Sequence, residues 1–443
     1  MNFISIILNV CFVVLIVFWF IRFLSESGLG VLQPERHPNN KFLNFTLKKY
    51  EYKSETPDRK DFLKVFGLAL AFRIGVYLVS ALIGMLYTGD TPFNFESFLG
   101  IWNRWDSPHY IELAQNGYAD HVEEGQHLFV VFFPLYPWVL RIFHAFTGFL
   151  IKDWALSGMI LSTFLYCFGV CFLYGALSED YGKDISLKTI VLMSAYPFGF
   201  FFGGIMTESI FLFNIALAFW LIKRHKWVAV GIVGILCSLS RVQGVIILGV
   251  AGVEFFEYYK PFKMVAEKKG KELVKLIFTK GIWIFLTPIG VLIYLYINKS
   301  VEGDWFAFRK FQSEHWFHNN VWFTKCIEEL LGYFKRADIS LENRIAMFAP
   351  ALFFFFLAFI LLFYGLRRHY QKYTAYLFVY TLINFSVTWL ISGGRYMLLA
   401  IPMYIIGGEI LDRHKKAYPW VIMLSALLMG MYLTGYIQWK QIM

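Results

Sequence analysis

A short polar stretch, residues 102–110, contains the side chain best suited to acid–base chemistry. It reads Trp-Asn-Arg-Trp-Asp-Ser-Pro-His-Tyr and includes Asp106 between a tryptophan and a Ser-Pro pair. A carboxylate at a partly apolar surface is well suited to act as a general base. An aspartate just before Ser-Pro is also typical of a helix N-cap in a solvated loop. The residues alone leave both roles open.

Three further charged residues lie at the ends of apolar segments. They are Glu208 in Met-Thr-Glu-Ser, Arg241 in Ser-Arg-Val-Gln-Gly, and Arg395 in Gly-Gly-Arg-Tyr. Charges so close to hydrocarbon are functional candidates, although each could also extend to water as an ordinary juxtamembrane charge. Arginine suits phosphate because its planar guanidinium presents a fork of donors. If these residues and Asp106 share a membrane face, they predict a site for an anionic, membrane-embedded substrate.

The elements that must position these residues are membrane-spanning helices. The 443-residue chain is 58% hydrophobic and 16% charged, whereas a soluble domain carries about 25% charged residues. Its apolar runs are long enough to cross about 30 Å of hydrocarbon as helices. We therefore predict an all-α polytopic membrane protein with about twelve transmembrane helices, at 3–23, 62–88, 154–177, 187–205, 208–222, 227–241, 243–258, 281–298, 345–365, 373–391, 395–411 and 418–437.

Lysine and arginine predict the orientation of these helices. Basic loops are expected on the cytoplasmic side, and here they are residues 25–61, 223–226, 260–280, 367–372 and 413–416. Both termini then lie outside, and Asp106, Glu208, Arg241 and Arg395 all fall on the outer face. The net charge of +10 is explained by these loops, so no nucleic-acid partner is expected.

Two long loops are predicted on the outer face, at 89–153 and 298–344. The first contains an apolar stretch, 128–146, with two prolines. If that stretch crossed the membrane, every later basic loop would change sides. We therefore predict a helix lying along the outer interface. Residues 1–61 form an N-terminal helix with a basic loop, and residues 62–443 form the main membrane domain.

Neither a metal site nor a disulfide framework is predicted. Four of the five cysteines lie within apolar runs and the fifth in a long loop, without the spacing of zinc ligands or disulfide pairs. The outer loops contain no Asp-x-Asp motif, so no cofactor is expected. A divalent cation held by Asp106 together with Glu123 or Glu124 is left open as an alternative.

A set of motifs, in order over about 62–411, resembles the PIG-V family of mannosyltransferases. That family includes the enzyme that adds the second mannose in GPI-anchor synthesis, and many bacterial members. The matching residues are Trp105-Asp106 with His109-Tyr110, Gly117-Tyr118, Phe-Phe-Pro-Leu-Tyr-Pro at 132–137, Thr207-Glu208-Ser209, Ser240-Arg241 with Gly244, Gly303-Asp304 leading to Gln312 and His315-Trp316, and Gly394-Arg395-Tyr396 ahead of Pro402.

The resemblance implies a GT-C glycosyltransferase fold whose large first outer loop holds the catalytic aspartate and interfacial helices. Asp106 stands at the family's Trp-Asp position and would be the general base of an inverting transfer. The acidic residue that often precedes the Phe-Phe-Pro motif is matched by Glu123 or Glu124. The remaining residues expected to bind substrate are His109, Glu208, Arg241, His315 and Arg395. His109 has three open roles: orienting Asp106, binding sugar hydroxyls, or filling a turn.

The function expected from these features is transfer of a hexose, with mannose favoured, from a polyprenyl- or dolichyl-phosphate sugar. The acceptor would be a glycan or glycolipid on the extracytoplasmic side, and membrane lipids would surround the protein. The membrane would be the plasma membrane of a bacterium or the endoplasmic reticulum of a eukaryote. The alternative is a lipid or glycolipid transporter or flippase, which favours broken helices and charges at the bilayer midplane.

Overall fold

Apolar runs along the chain fold into helices in the computed structural model, which describes residues 3–33, 37, 39–47, 50–87, 93–123 and 125–442. Extended pairing in this part of the chain is limited to two isolated bridges. The helices are α1 Phe3–Glu26, α2 Lys41–Thr46, α3 Arg59–Tyr87, α4 Phe95–Trp102, α5 Ser107–Gln115, α6 Leu135–Thr147, α7 Trp154–Tyr181, α8 Lys183–Ser194, α9 Glu208–Lys223, α10 Trp227–Ser240, α11 Ile246–Tyr259, α12 Pro261–Ala266, α13 Gly270–Thr279, α14 Ile289–Glu302, α15 Ala307–Trp316, α16 Phe323–Lys335, α17 Leu341–Asn343, α18 Ala349–Arg368, α19 Gln371–Asn384, α20 Gly393–Tyr396, α21 Ile401–Arg413 and α22 Tyr418–Ile437.

Seven helical segments of the described chain are long and apolar enough to cross a membrane. An eighth would be the pair Gly393–Leu399 and Ile401–Arg413, which is bent by 73°. The prediction of an all-α polytopic membrane protein is thereby confirmed. The seven segments are Phe3–Glu26, Arg59–Tyr87, Trp154–Tyr181, Val242–Tyr259, Gly270–Glu302, Leu341–Arg368 and Tyr418–Ile437.

The predicted count of about twelve transmembrane helices exceeds the seven or eight described segments that are long and apolar enough to cross. The predicted spans 187–205, 208–222, 227–241 and 373–391 correspond to α8, α9, α10 and α19, which have 12, 16, 14 and 14 residues. A 14-residue helix is about 21 Å long, short of the roughly 30 Å of hydrocarbon. These helices pass into irregular backbone at the ends that are predicted to face outside. Such backbone is tolerated at membrane depth only where protein surrounds it or where it lines a cavity.

Ion pairs gather the predicted cytoplasmic loops at one end of the helices. They join Lys183 to Asp61 at 2.7 Å, Lys188 to Asp412 at 2.6 Å, Lys223 and Lys372 to Asp180 at 2.5 and 2.9 Å, and Lys372 to Glu254 at 3.2 Å. The shared end agrees with the Lys and Arg pattern. That this end faces the cytoplasm stays a prediction.

The two predicted outer loops pack on each other at the opposite end. His127 Nδ1 lies 2.7 Å from Glu302 Oε1 of the second loop. Tyr294, in the helix that leads into that loop, donates its hydroxyl to the Val130 carbonyl at 2.8 Å. Seven buried apolar residues fill the space between the loops: Leu113, Tyr118, Leu128, Phe129, Val130, Ala307 and Phe311. The two loops therefore pack together as one layer.

The apolar stretch 128–146 does not form a membrane-spanning helix. It contains a 3₁₀ turn, Leu128–Val131, followed by α6. At 13 residues, α6 is about 20 Å long, too short to cross. The Arg141 guanidinium donates to the carbonyls of Leu113 and Ala114 in the last turn of α5. Arg141 thereby ties α6 to the helix that follows Asp106, and the orientation of α6 along the interface stays a prediction.

The sidedness can be checked with single cysteines in a variant whose native cysteines are replaced by serine. Asp120 and Lys226 are both exposed, one at each end of the helices. We expect a membrane-impermeant maleimide to label Asp120→Cys in intact cells, and Lys226→Cys only after permeabilisation, because basic loops stay inside. The reverse labelling pattern would contradict the predicted orientation.

Candidate active site

Four charged side chains from distant parts of the sequence form one chain of ion pairs. Arg395 Nε lies 2.9 Å from Glu208 Oε1, and Arg395 Nη1 lies 3.4 Å from Asp106 Oδ2. Arg241 Nη2 lies 3.3 Å from the same Glu208 oxygen. The order is thus Asp106, Arg395, Glu208, Arg241. The structure brings together the four residues that the sequence placed on one face.

Solvent exposure differs strongly among the four side chains of this ion-pair network. The exposed fraction of the side chain is 36% for Asp106, 5% for Arg395, 0% for Glu208 and 15% for Arg241. A ligand can therefore reach the two ends, a carboxylate at Asp106 and a guanidinium at Arg241. The two middle residues, Arg395 and Glu208, are closed to a ligand. Glu208 serves as a buried counter-charge for both arginines, because an unpaired charge in such surroundings is costly.

The buried residues of this ion-pair network lie at helix starts that follow irregular backbone: Arg395 lies in the four-residue helix α20, and Glu208 is the first residue of α9. Arg395 follows the break between α19 and α20, and Glu208 follows the 3₁₀ turn Gly199–Gly203. The Arg395 guanidinium stacks 4.4 Å from the Phe201 ring centroid and donates to Met206 Sδ at 3.0 Å. The segment 195–207 thus shapes the pocket around Arg395 on two sides.

Glycines next to the two arginines allow the backbone to pack this tightly. A Cβ atom on Gly394 would lie 2.6 Å from the Phe198 ring and 2.9 Å from Pro350, closer than real Cβ atoms approach. A Cβ atom on Gly244 would lie 2.0 Å from the Cys237 carbonyl oxygen. Close packing therefore explains why glycine stands next to Arg395 and three residues after Arg241.

The turn before α5 aims Asp106 at Arg395. Trp105 has φ of 57°, a left-handed conformation that costs a bulky residue about 1–3 kcal/mol. Arg104 fixes this turn by donating to the carbonyls of Tyr436 and Ile437, at 3.0 and 2.7 Å, in the last turn of α22.

The N-cap alternative for Asp106 holds for its position, because α5 begins at Ser107, but not for its side chain. The Asp106 side chain makes no capping hydrogen bond to α5, although the residue occupies the N-cap position. Its carboxylate is engaged by Arg395 instead. The half-exposed oxygen atoms remain available to a ligand, as a general base requires.

His109 lies in the first turn of α5, within the first predicted outer loop. Its ring centroid is 4.8 Å from that of Phe129 and 5.6 Å from that of Phe132. Burial lowers the pKa of His109 below its usual value, and the nearby Asp106 charge only partly offsets this. His109 is therefore neutral at physiological pH and packs between aromatic rings.

The other residues expected to bind substrate lie farther along the outer loops. Glu123 is 64% exposed and lies 4.0 Å from His121 Nε2. His315 Nε2 lies 2.9 Å from Gln126 Oε1 and so joins the second outer loop to the first. Glu124 lies outside the described residues. Across the described chain, no group of three or more His, Cys, Asp or Glu side chains is placed to hold a metal ion.

Sequence reasoning missed two arginines that position the site. Arg104, described above, carried no local signal because its partners lie more than three hundred residues away. Arg73, in the middle of α3, is fully buried and donates to the carbonyls of Gly199 and Phe200 at 3.2 and 3.1 Å. An arginine in the middle of a predicted span was a signal that could have found it.

Comparisons with solved structures give distant likenesses. No family model matches the sequence, and no curated protein matches it. The structure is similar to the crystal structure of the oligosaccharyltransferase of Archaeoglobus fulgidus, determined with a tethered acceptor peptide, with a TM-score of 0.43 and 12% sequence identity. The match covers 84% of this chain and 55% of the other, so this chain spans little more than half the length of that enzyme. A likeness of this size assigns neither a fold family nor an activity to this chain.

Proposed function

We propose that the protein is an inverting membrane glycosyltransferase of the GT-C type. It transfers a hexose from a polyprenyl- or dolichyl-phosphate sugar to a glycan or glycolipid on the extracytoplasmic side. The observation that supports this is a half-exposed Asp106 paired with the buried chain of Arg395, Glu208 and Arg241. The resemblance of the motifs to those of the PIG-V family favours mannose as the hexose.

In this proposal Asp106 is the general base. It takes the proton of the acceptor hydroxyl while that oxygen attacks the anomeric carbon of the donor. The new bond forms on the face opposite the breaking carbon–oxygen bond, so the configuration inverts. The leaving group is a lipid phosphate, which is a weak base, so no protein acid has to protonate it. Arg395 orients the carboxylate through its Nη1 atom.

Arg241 is the guanidinium best placed to receive the phosphate. All three nitrogens of Arg395 have protein partners, namely Glu208, Asp106 and Met206. Arg241 has one ion pair and a larger exposed fraction. A fixed positive group stabilises the charge that develops on the leaving phosphate. Arg241 therefore binds the donor phosphate, and Arg395 positions the base.

This division of roles predicts different defects for two conservative substitutions. Arg241→Lys should raise KM for the lipid-phosphate donor about 10-fold, because a point charge replaces a bidentate fork. Arg395→Lys should instead lower kcat, because Asp106 loses its orienting partner, with little change in donor KM. Steady-state kinetics of purified protein in nanodiscs would measure both.

Arg336→Lys is the matched control, because Arg336 is an exposed arginine paired with Asp338 on the same outer layer. It should leave both constants unchanged. If Arg241→Lys and Arg395→Lys also left both constants unchanged, these arginines would be ordinary juxtamembrane charges with no part in the reaction.

The activity itself is tested by incubating the purified chain with a synthetic polyprenyl-phosphate mannose and short glycolipid acceptors. The expected result is a product heavier by one hexose, formed only when both substrates are present. Failure with every hexose donor and every acceptor would contradict the proposed function.

A flippase remains the second candidate, because the pair Gly393–Leu399 and Ile401–Arg413 is bent by 73°. Discontinuous helices of this kind surround the substrate sites of many transporters. The two functions separate in proteoliposomes that contain lipid-linked sugar but no acceptor. A flippase moves the lipid between leaflets there, whereas the proposed transferase leaves its distribution unchanged.

A further inference from the structure

The second outer loop borders an open, polar cavity of about 360 Å³ that the proposed transfer reaction does not use. One wall is α15, which contributes Arg309 and Lys310, and the other is the returning segment with His318, Asn319 and Asn320. The volume falls within the range of small-molecule sites. The cavity therefore has room for a sugar or phosphate group of a larger ligand.

The wall opposite α15 is held in place by backbone pairing. Val321 N donates to the Ser386 carbonyl at 3.0 Å, and Thr388 N donates to the Asn319 carbonyl at 2.9 Å. The segment turns back over α15 at Phe317, whose φ is 57°. Because these two backbone hydrogen bonds flank the isolated bridge between Asn320 and Val387, this wall of the cavity is held in place rather than being part of a loose loop.

The charge of the cavity favours an anion. Neither Arg309 nor Lys310 forms an ion pair with any described residue, although Lys and Arg are disfavoured on the outer face of membrane proteins. The one lining acid, Asp304, accepts a hydrogen bond from the Phe306 backbone at 3.0 Å. Burial lowers the pKa of His318, so its ring is neutral at physiological pH. The two exposed cations, Arg309 and Lys310, thus give the cavity lining a net positive charge.

Each wall of the cavity is connected to a residue of the candidate active site, one to His109 and the other to Arg395. The buried face of α15, at Ala307 and Phe311, packs against the turn Leu128–Val131, whose Phe129 ring contacts His109. The paired segment on the other wall continues along the chain to Arg395. These contacts connect the cavity to the helix that carries His109 and to the segment that precedes Arg395.

We propose that this cavity binds an anionic group of the acceptor, a phosphate or a carboxylate attached to its glycan or glycolipid head. Arg309 and Lys310 make the charge contacts, and the amides of Asn319 and Asn320 bind neighbouring hydroxyls. This inference rests on the proposed transferase function and adds the class of acceptor. It makes the enzyme selective for acidic over neutral acceptors.

Three synthetic acceptors test the inference with the full-length purified chain: octyl mannoside, its 6-phosphate, and the matching octyl uronoside. The wild type should show a KM for a charged acceptor about 10-fold below that for the neutral one, as two partly exposed charge contacts provide. The double substitution Arg309→Gln with Lys310→Gln should remove this preference and leave kcat and the neutral KM unchanged. A preference for the phosphate alone identifies phosphate, and an equal preference for the uronoside identifies any anion.

The matched control is Lys325→Gln with Lys335→Gln, which removes two exposed charges from the same loop outside the cavity. It should retain the preference. An equal loss in this control, or no preference in the wild type, would overturn the inference.

Titration calorimetry of the same three glycosides without donor separates the inference from the proposed function. Charge-selective binding that is lost in the Arg309 and Lys310 double variant, with no transfer to any acceptor, would contradict the transferase function and retain the anion site. Equal binding of all three glycosides would overturn the anion site, whatever the transfer assay shows.

Discussion

Replacing Asp106 by asparagine should lower the rate of glycosyl transfer by about 10²–10⁴-fold, the contribution of a positioned general base. Asparagine keeps the shape of the side chain, and its oxygen can still accept the hydrogen bond from Arg395 Nη1. It cannot take the acceptor proton at neutral pH. The donor lipid should therefore still bind, and the loss should appear in kcat measured with saturating donor.

Asp120→Asn is the matched control, since Asp120 is an exposed acid of the same outer loop. It should transfer at the wild-type rate. Substantial transfer by Asp106→Asn, together with an inactive Glu123→Gln or Glu124→Gln, would move the base to the later acidic pair. If none of these variants changed the rate, the flippase alternative would be favoured.

Replacing Glu208 by glutamine should destabilise the fold by about 3–5 kcal/mol, the usual cost of removing one partner of a buried charge pair. Glu208 is fully buried and is the counter-charge of both Arg241 and Arg395. Without it, two guanidiniums would face each other with only the half-exposed Asp106 to balance them. Thermal unfolding in detergent should show a clear fall in Tm.

Two further variants make this result specific. Glu208→Gln combined with Arg241→Gln should regain part of the lost stability, because Arg395 alone can pair with Asp106 and the two sites are directly coupled. Glu123→Gln, at a residue that is 64% exposed, should change the free energy of unfolding by less than about 0.5 kcal/mol. A wild-type Tm for Glu208→Gln would show that the charge chain does not stabilise the bundle.

The fold class and the grouping of the charges were open to prediction because both follow from one-dimensional patterns. Apolar run length predicts helices that cross a membrane. The positions of Lys and Arg then place Asp106, Glu208, Arg241 and Arg395 on one side, and the structure joins those four residues. The chemistry of the side chains and the assignment of loops to two sides of the membrane were sufficient to predict this grouping.

The helix ends inside the bundle could not be predicted in the same way. Residues 195–207 are almost entirely apolar and continue the run of α8, yet they form irregular backbone with a 3₁₀ turn at Gly199–Gly203, and the Phe201 ring in that turn stacks on Arg395. Composition alone does not distinguish buried irregular backbone from helix. The cluster of glycines at 199, 203 and 204, with Pro197, was the available signal of the break.

The contacts that fix the Asp106 turn were beyond any local pattern. Arg104 binds carbonyls at the end of α22, and the rings of Trp105 and Trp439 approach to 5.4 Å. These partners are more than three hundred residues apart along the chain. A strained turn stabilised in this way is a tertiary property, and only the folded structure reveals it.

The stereochemistry of a single transfer tests the central claim most directly. Purified protein would be supplied with a polyprenyl-phosphate hexose of known anomeric configuration, and the product linkage would be determined by nuclear magnetic resonance. Direct attack by an acceptor hydroxyl activated by Asp106 predicts the opposite configuration in the product. Transfer with the configuration retained, still present in Asp106→Asn, would contradict the account.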